Sequence, residues 1–193
     1  MIQTGRDKFR KYKAIISFLI AVNALLPAGI NYLLLRFFRN TNGAFGLLTR
    51  YIIVKNLAKS CGDNVSIQPN VFLFNLKNLS LGSNISIHPL CYLDAAGGIS
   101  IGNNVSIAHN SSVLSTNHTW DDLSVPIKYN HETFDQVSIA DDVWIGCGCR
   151  ILAGVNIATR TVIAAGAVVN KNTEGYAVYA GIPAKLIKKI NAT

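Results

Sequence analysis

Aliphatic or small apolar residues recur every six positions through most of this 193-residue chain, and that spacing leaves few folds open. Cys61, Ile67, Leu73, then Leu81, Ile87, Leu93, then Ile101, Ile107 and Val113 form three sets that start 20 residues apart. After an interruption at 114–138 the series resumes without gaps at Ile139, Ile145, Ile151, Ile157, Ile163 and Val169. A helix repeats every 3.6 residues and a strand every 2, whereas self-similarity at a longer fixed interval marks a solenoid. Gly follows the aliphatic residue at 62, 82, 102 and 146, and Asn or Asp stands at Asn64, Asn84, Asn104 and Asp142. Gly and Asn are the residues that best tolerate positive φ at tight corners. The fifth position is small or β-branched, as at Val65, Cys91, Ser111, Cys149 and Ala167. Two inward residues per hexad with a corner between them describe a short flat strand and a turn. Three hexads close a triangular coil of 18 residues, extended by two in the first coils. Stacked coils pair their backbones and bury the aliphatic columns.

The same register accounts for two other patterns. Cys61, Cys91 and Cys149 fall on inward columns and are expected as core thiols. With Cys147 they make four cysteines and no CxxC spacing, so reduced thiols are expected rather than disulfides or a zinc site. The N-x-S/T triplets at Asn64, Asn84, Asn104, Asn110 and Asn117 arise mostly from corner asparagines followed by small strand residues, not from glycosylation.

The charge is unevenly placed. Residues 1–59 hold ten Lys or Arg and a single acid, Asp7, for a charge of +9, while the remainder sums to −1. Residues 14–35 carry no charge, so the cations flank an apolar run instead of alternating with aromatic and polar groups. That is the pattern of an element lying on a membrane surface, with helices packed on the rest of the protein or on a neighbouring subunit as the alternative, and it argues against nucleic acid as a partner. Asn23, Pro27, Gly29 and Asn31 interrupt the run and disfavour a membrane span. Helices are expected at about 8–26, from Gly29 to Arg39 and from Phe45 to Lys59. The long basic stretch before the apolar run does not fit a cleaved signal peptide.

The chain therefore divides into a basic, apolar helical segment (1–60), a solenoid (61–175) with an extruded loop at 114–138, and a C-terminal tail (176–193). A polar excursion of 25 residues from a regular solenoid points to function. It holds His118, Trp120, Asp121, Asp122, His131, Glu132 and Asp135. No metal-ligand spacing is evident, and Leu123 occupies the position where a HxxxxH zinc pair with His118 needs its second histidine.

The hexads, I-A-x-N before a loop-entrance histidine, V-W-I-G, I-A-A-G-A-V-V-x-K and A-G-I-P-A-K resemble the hexapeptide-repeat acetyltransferases. The resemblance covers about residues 61–190. It includes the galactoside, maltose and xenobiotic O-acetyltransferases and is nearer to those acting on capsule and O-antigen polysaccharides. It implies a left-handed parallel β-helix, a mainly β fold, assembled as a homotrimer with active sites between subunits. It also implies acetyl-CoA as donor, no metal, and a sugar hydroxyl as acceptor. Carried over position by position, His118 is the general base and Asn110 touches the acceptor. Trp144, the main chain of Cys147, Ala165 and Asn170 line the pantetheine groove, and Lys171, Lys185 and Lys188 face the CoA phosphates. Cys147 and Asn170 stand where relatives often have Ser and Thr, and two of the lysines where relatives often have Arg.

With the basic apolar segment, these features lead to an expected cytoplasmic enzyme held at the inner membrane face through residues 1–40, acting on a lipid-linked saccharide. N-acetylation of an amino-sugar nucleotide is the alternative within catalysis. A non-catalytic binding solenoid is the alternative outside it.

Overall fold

The computed structural model describes residues 5–191. Three helices precede the repeats: α1 (Gly5–Asn23), α2 (Ala28–Phe37) and α3 (Gly43–Leu57), with a 3-10 turn at Phe38–Asn40. Pro27 sits just before α2, where its missing N–H costs no helical hydrogen bond.

The hexads then wind into a triangular prism of parallel strands, as the repeat requires. The first face stacks Ser60–Cys61, Leu79–Leu81, Ile99–Ile101, Val137–Ile139 and Asn156–Ile157. The second stacks Val65–Ile67, Ile85–Ile87, Ser106–Ile107, Trp144–Ile145, Thr161–Ile163 and Ala177–Ala180. The third stacks Phe72–Phe74, Tyr92–Asp94, Ser112–Leu114, Arg150–Ile151 and Val168–Val169. Register follows the sequence period, with Ser60 beside Ser80 and Ser80 beside Ser100. Ile87, Ile107, Ile145 and Ile163 make one fully buried column. The corner residues Asn64, Asn84, Asn104 and Asp142 all take φ between 55° and 59°, as their positions predict. At Gly102 a Cβ would lie 2.8 Å from the backbone N of Asp141 in the next coil, so close stacking excludes any side chain there.

Two boundaries and the burial of one cysteine differ from the sequence reading. The excursion spans 115–136 instead of 114–138, because Leu114 ends one strand and Val137, fully buried, already starts the next. The prism also continues past 175: Ala177–Ala180 extends the second face, and Lys185–Lys189 adds an antiparallel strand outside it. Finally, Cys61 is half-buried and is not a core thiol like Cys91 and Cys149, because no coil lies below the first one. Partial burial still pushes its thiol up to about 11.

The helices close the open end of that first coil. Tyr51, Ile53, Val54 and Leu57 of α3 are buried on it, and the Tyr51 hydroxyl donates to Gly62 O at 3.0 Å. Such a cap protects the otherwise exposed aliphatic column. Arg50, 1% exposed, donates from Nε to Ile67 O at 2.8 Å and from Nη1 to Phe38 O and Thr41 O at 2.8 and 2.7 Å. One guanidinium thus joins the prism to the turn after α2.

The start of α1 runs down the edge between the first two faces. Lys13 pairs with Asp63 in the first coil at 2.7 Å, and Arg6 reaches Asn104 in the third at 3.4 Å. Seven helical residues rise about 10 Å, close to the two inter-strand spacings between those coils. The hydrogen bond from Lys13 holds the Asp63 carboxyl below its usual range, so this tie is lost as pH falls through that lowered value.

Asn23, Asn31 and Asn56, one from each helix, form a chain of hydrogen bonds. Asn23 donates to Asn31 at 2.8 Å and Asn56 donates to Asn23 at 2.7 Å. The asparagines that interrupt the apolar run are therefore the polar pins of the helical hairpin. Asn31→Leu leaves the Asn23 amide without its acceptor and is expected to cost about 1 to 2 kcal/mol in urea unfolding. Among the described residues no helix is long and apolar enough to cross a membrane.

Candidate active site

The excursion folds as an antiparallel hairpin, Thr116–His118 against Glu132–Phe134, in which His118 lies directly opposite Glu132. Pairing across the hairpin sets His118 Nε2 3.4 Å from Glu132 Oε1, within ion-pair reach, and both side chains are exposed. The loop beyond is organised by Asn130, whose side chain accepts from Asp122 N and donates to Asp122 O. His131 is tied to Thr119, whose hydroxyl lies 3.2 Å from its Nδ1 and donates to its carbonyl at 2.9 Å. The hairpin is rooted by Ser115, fully buried, whose hydroxyl donates to Asp94 O at 2.7 Å and accepts from Gly97 N at 2.9 Å.

The other expected residues fall into two groups. Asn110, Cys147 and Ala165 occupy successive corners of the edge between the second and third faces: Gly148 N donates to His109 O, and Gly166 N donates to Cys147 O. Asn110 has φ of 59° and accepts from the Arg150 guanidinium at its carbonyl, so it serves the corner whatever else its exposed side chain contacts. Trp144, 56% exposed, stands on the second face between Ser106 and Val162. That row continues through Val178 to Lys188, and Lys185 lies on the same added strand. From Trp144 to Lys188 is three strand spacings, about 14 Å. Asn170 and Lys171 are exposed just after the third face, on the edge from which the hairpin springs. His118 thus shares its edge with Asn170 and Lys171, whereas Trp144, Asn110, Cys147 and Ala165 gather around another.

Two features escape the hexad reading. Glu132 is only one acid among several in a polar loop until the hairpin register places it beside His118. The second is an aromatic surface on the third face. Phe72 and Tyr92 are stacked at 6.4 Å, Phe74 lies 5.0 Å from Tyr92, and the Arg39 guanidinium covers Phe72 at 4.5 Å. Beside them Asn75 donates to Asp94 at 2.7 Å. Phe74, Asp94 and Leu114 are register partners, so this surface borders the root of the hairpin. The 20-residue offset between Phe72 and Tyr92 was the available signal, but outward positions are not constrained by the core period. Among the described residues no group of three or more His, Cys, Asp or Glu side chains could hold a metal ion.

Residues 136–171 match the family model described as bacterial transferase hexapeptide (six repeats). A Saccharomyces cerevisiae protein named as an acetyltransferase is 36% identical over 143 residues, covering 72% of this chain and 69% of that protein. The structure of a maltose O-acetyltransferase from Clostridium difficile 630 superposes with a TM-score of 0.76 at 30% identity, covering 85% of this chain and 86% of that one. A galactoside acetyltransferase in complex with coenzyme A gives a TM-score of 0.75 at 28% identity, covering 83% and 79%. The hexad core, the hairpin thrown out from its edge and these likenesses lead to one conclusion: the chain belongs to the hexapeptide-repeat family of bacterial transferases, as an acyltransferase.

Proposed function

We propose that this protein transfers the acetyl group of acetyl-CoA to a hydroxyl of a lipid-linked saccharide, a precursor of a bacterial surface polysaccharide such as O-antigen or capsule. The observation that carries the reading is the His118–Glu132 pair, raised on a hairpin beside an aromatic surface with Asp94 and Asn75. Sugar rings pack their C–H faces on aromatic rings, and the carboxylate and amide offer partners for hydroxyls.

The neutral His118 imidazole accepts the hydroxyl proton as the oxygen attacks the thioester carbonyl, and the Glu132 carboxylate favours the imidazolium that forms. The C–S bond then breaks, the acetyl ester is complete, and the proton passes to the leaving CoA thiolate. The main-chain N–H of Cys147 steadies the developing oxyanion. Pantetheine passes the Ala165 corner toward the neighbouring edge that carries Asn170, and Lys171, Lys185 and Lys188 attract the CoA phosphates as point charges.

His118 and Trp144 belong to different sides of one prism, which supports a homotrimer whose neighbouring subunits complete each site. The exposed Trp120, Leu123, Ile127 and Tyr129 of the excursion suit such a contact. The helical hairpin supports attachment at the inner face of the cytoplasmic membrane through residues 1–40. Ile15, Phe18, Val22, Leu25, Leu33 and Phe37 leave an exposed apolar strip flanked by cations.

Thiol release from acetyl-CoA, with and without lipid-linked glycan, tests the proposal. The expected product carries an alkali-labile acetyl ester. An alkali-stable amide would establish N-acetylation instead, and absence of both turnover and acetyl-CoA binding would favour a binding solenoid.

A further inference from the structure

Two grooves meet along α1, and no residue assigned above to acetyl transfer lines either of them. The first, about 390 Å³, lies between α1 and α3 and is walled mainly by Phe9, Tyr12, Ile15, Ile16, Leu48 and Tyr51. The second, about 740 Å³, lies between the start of α1 and the edge of the second face. It is walled by Arg6, Asp7, Arg10, Asn84 and Ser86. Gly5, Asn64 and Ser66 line both, so the two form one depression that changes from apolar to polar and cationic along its length. Lys8 joins Arg6 and Arg10 along it, three cations against the single acid Asp7.

We propose that this composite groove binds a single long hydrocarbon chain ending in a phosphate ester: the membrane carrier of the saccharide acceptor. The apolar part takes the chain next to its head. The Arg6 and Arg10 guanidiniums, with the amide and hydroxyl of Asn84 and Ser86, suit the several oxygens of a phosphate. One apolar channel leading to one cationic pocket fits one chain on one phosphate.

The groove also sits at the foot of a polar strip. Ser66, Ser86 and Ser106 are successive register partners on the second face, and the next residue in that row is Trp144. Three strand spacings, about 14 Å, separate Ser66 from Trp144. A saccharide carried on the bound phosphate therefore has a hydroxyl-lined path toward the acetyl donor. This deepens the reading under Proposed function and rests on it.

The test titrates the full-length protein with phosphatidylcholine vesicles carrying a long-chain polyisoprenyl monophosphate. Parallel titrations use vesicles carrying phosphatidylglycerol at matched charge, plain phosphatidylcholine vesicles, and inorganic phosphate. The polyisoprenyl vesicles are expected to bind at least about tenfold more tightly than the phosphatidylglycerol vesicles. That preference should disappear in the double variant Arg6→Gln, Arg10→Gln and in Tyr12→Asn, Ile15→Asn. Equal affinity for the two charged vesicles, or a preference retained in both double variants, overturns the proposal. So does inorganic phosphate binding as tightly as the lipid. Acetyl transfer to lipid-free saccharide separates the two readings. A protein that binds the polyisoprenyl phosphate but transfers no acetyl group keeps the groove and loses the enzymatic proposal. One that acetylates lipid-linked and lipid-free glycan with equal KM keeps the enzyme and loses the groove.

Discussion

Acetyl transfer by His118→Ala is expected to fall at least about a hundredfold, the lower range for loss of a general base. The side chain is exposed and its ion-pair contact is with the likewise exposed Glu132, so the variant's unfolding midpoint should stay within experimental error of the parent. Thiol release under saturating acetyl-CoA, measured beside a urea melt, checks both halves. A folded variant with parental turnover would remove His118 from the reaction. Glu132→Gln keeps the hairpin but removes the charge facing the imidazolium, so its loss should be smaller, on the order of tenfold, and should fall on kcat with acetyl-CoA KM nearly unchanged.

Arg50→Ala is expected to cost about 3 to 5 kcal/mol, among the largest stability effects available in this chain, because it removes the donors of several buried carbonyls at once. Ile67 O belongs to the first coil, whereas Phe38 O and Thr41 O belong to the turn between α2 and α3, so the loss uncouples the helical cap from the prism. Desolvation lowers the Arg50 pKa, but a guanidinium keeps its proton through the accessible pH range. Arg50→Lys should recover part of the loss, since an ammonium has no planar fork to span both sides. Urea unfolding gives the magnitude, and amide exchange across α3 locates it. A loss under about 1 kcal/mol would mean that α3 packing alone holds the cap.

Both predictions turn on residues whose importance is unevenly visible in the linear sequence. His118 is conspicuous because the hexad period breaks just before it, and a regular solenoid gives a fixed frame against which a break stands out. Glu132 and the aromatic set Phe72, Phe74 and Tyr92 are not conspicuous. Their partners are set by hairpin register and by stacking across coils, and outward positions are free to vary without disturbing the buried columns. Arg50 is hidden for another reason. In an apolar, basic segment it reads as one more flanking cation, and only the packing of α3 on the first coil buries it.

The sequence by itself determined the triangular β-helix, its corner residues, its core columns and the place where it is interrupted. Each of these follows from a six-residue period that closes a three-faced coil, although the period leaves the hand of the coil open. Tertiary structure alone decided which cations are free and which are bound, as Lys13 and Arg50 show. It also decided that the two asparagines of the apolar run join Asn56 of α3 to pin the helices together, and that the expected site residues lie on separate edges of one prism. Those outcomes depend on contacts between segments far apart in the chain, where a side chain's burial and partners are set by geometry that no local period encodes.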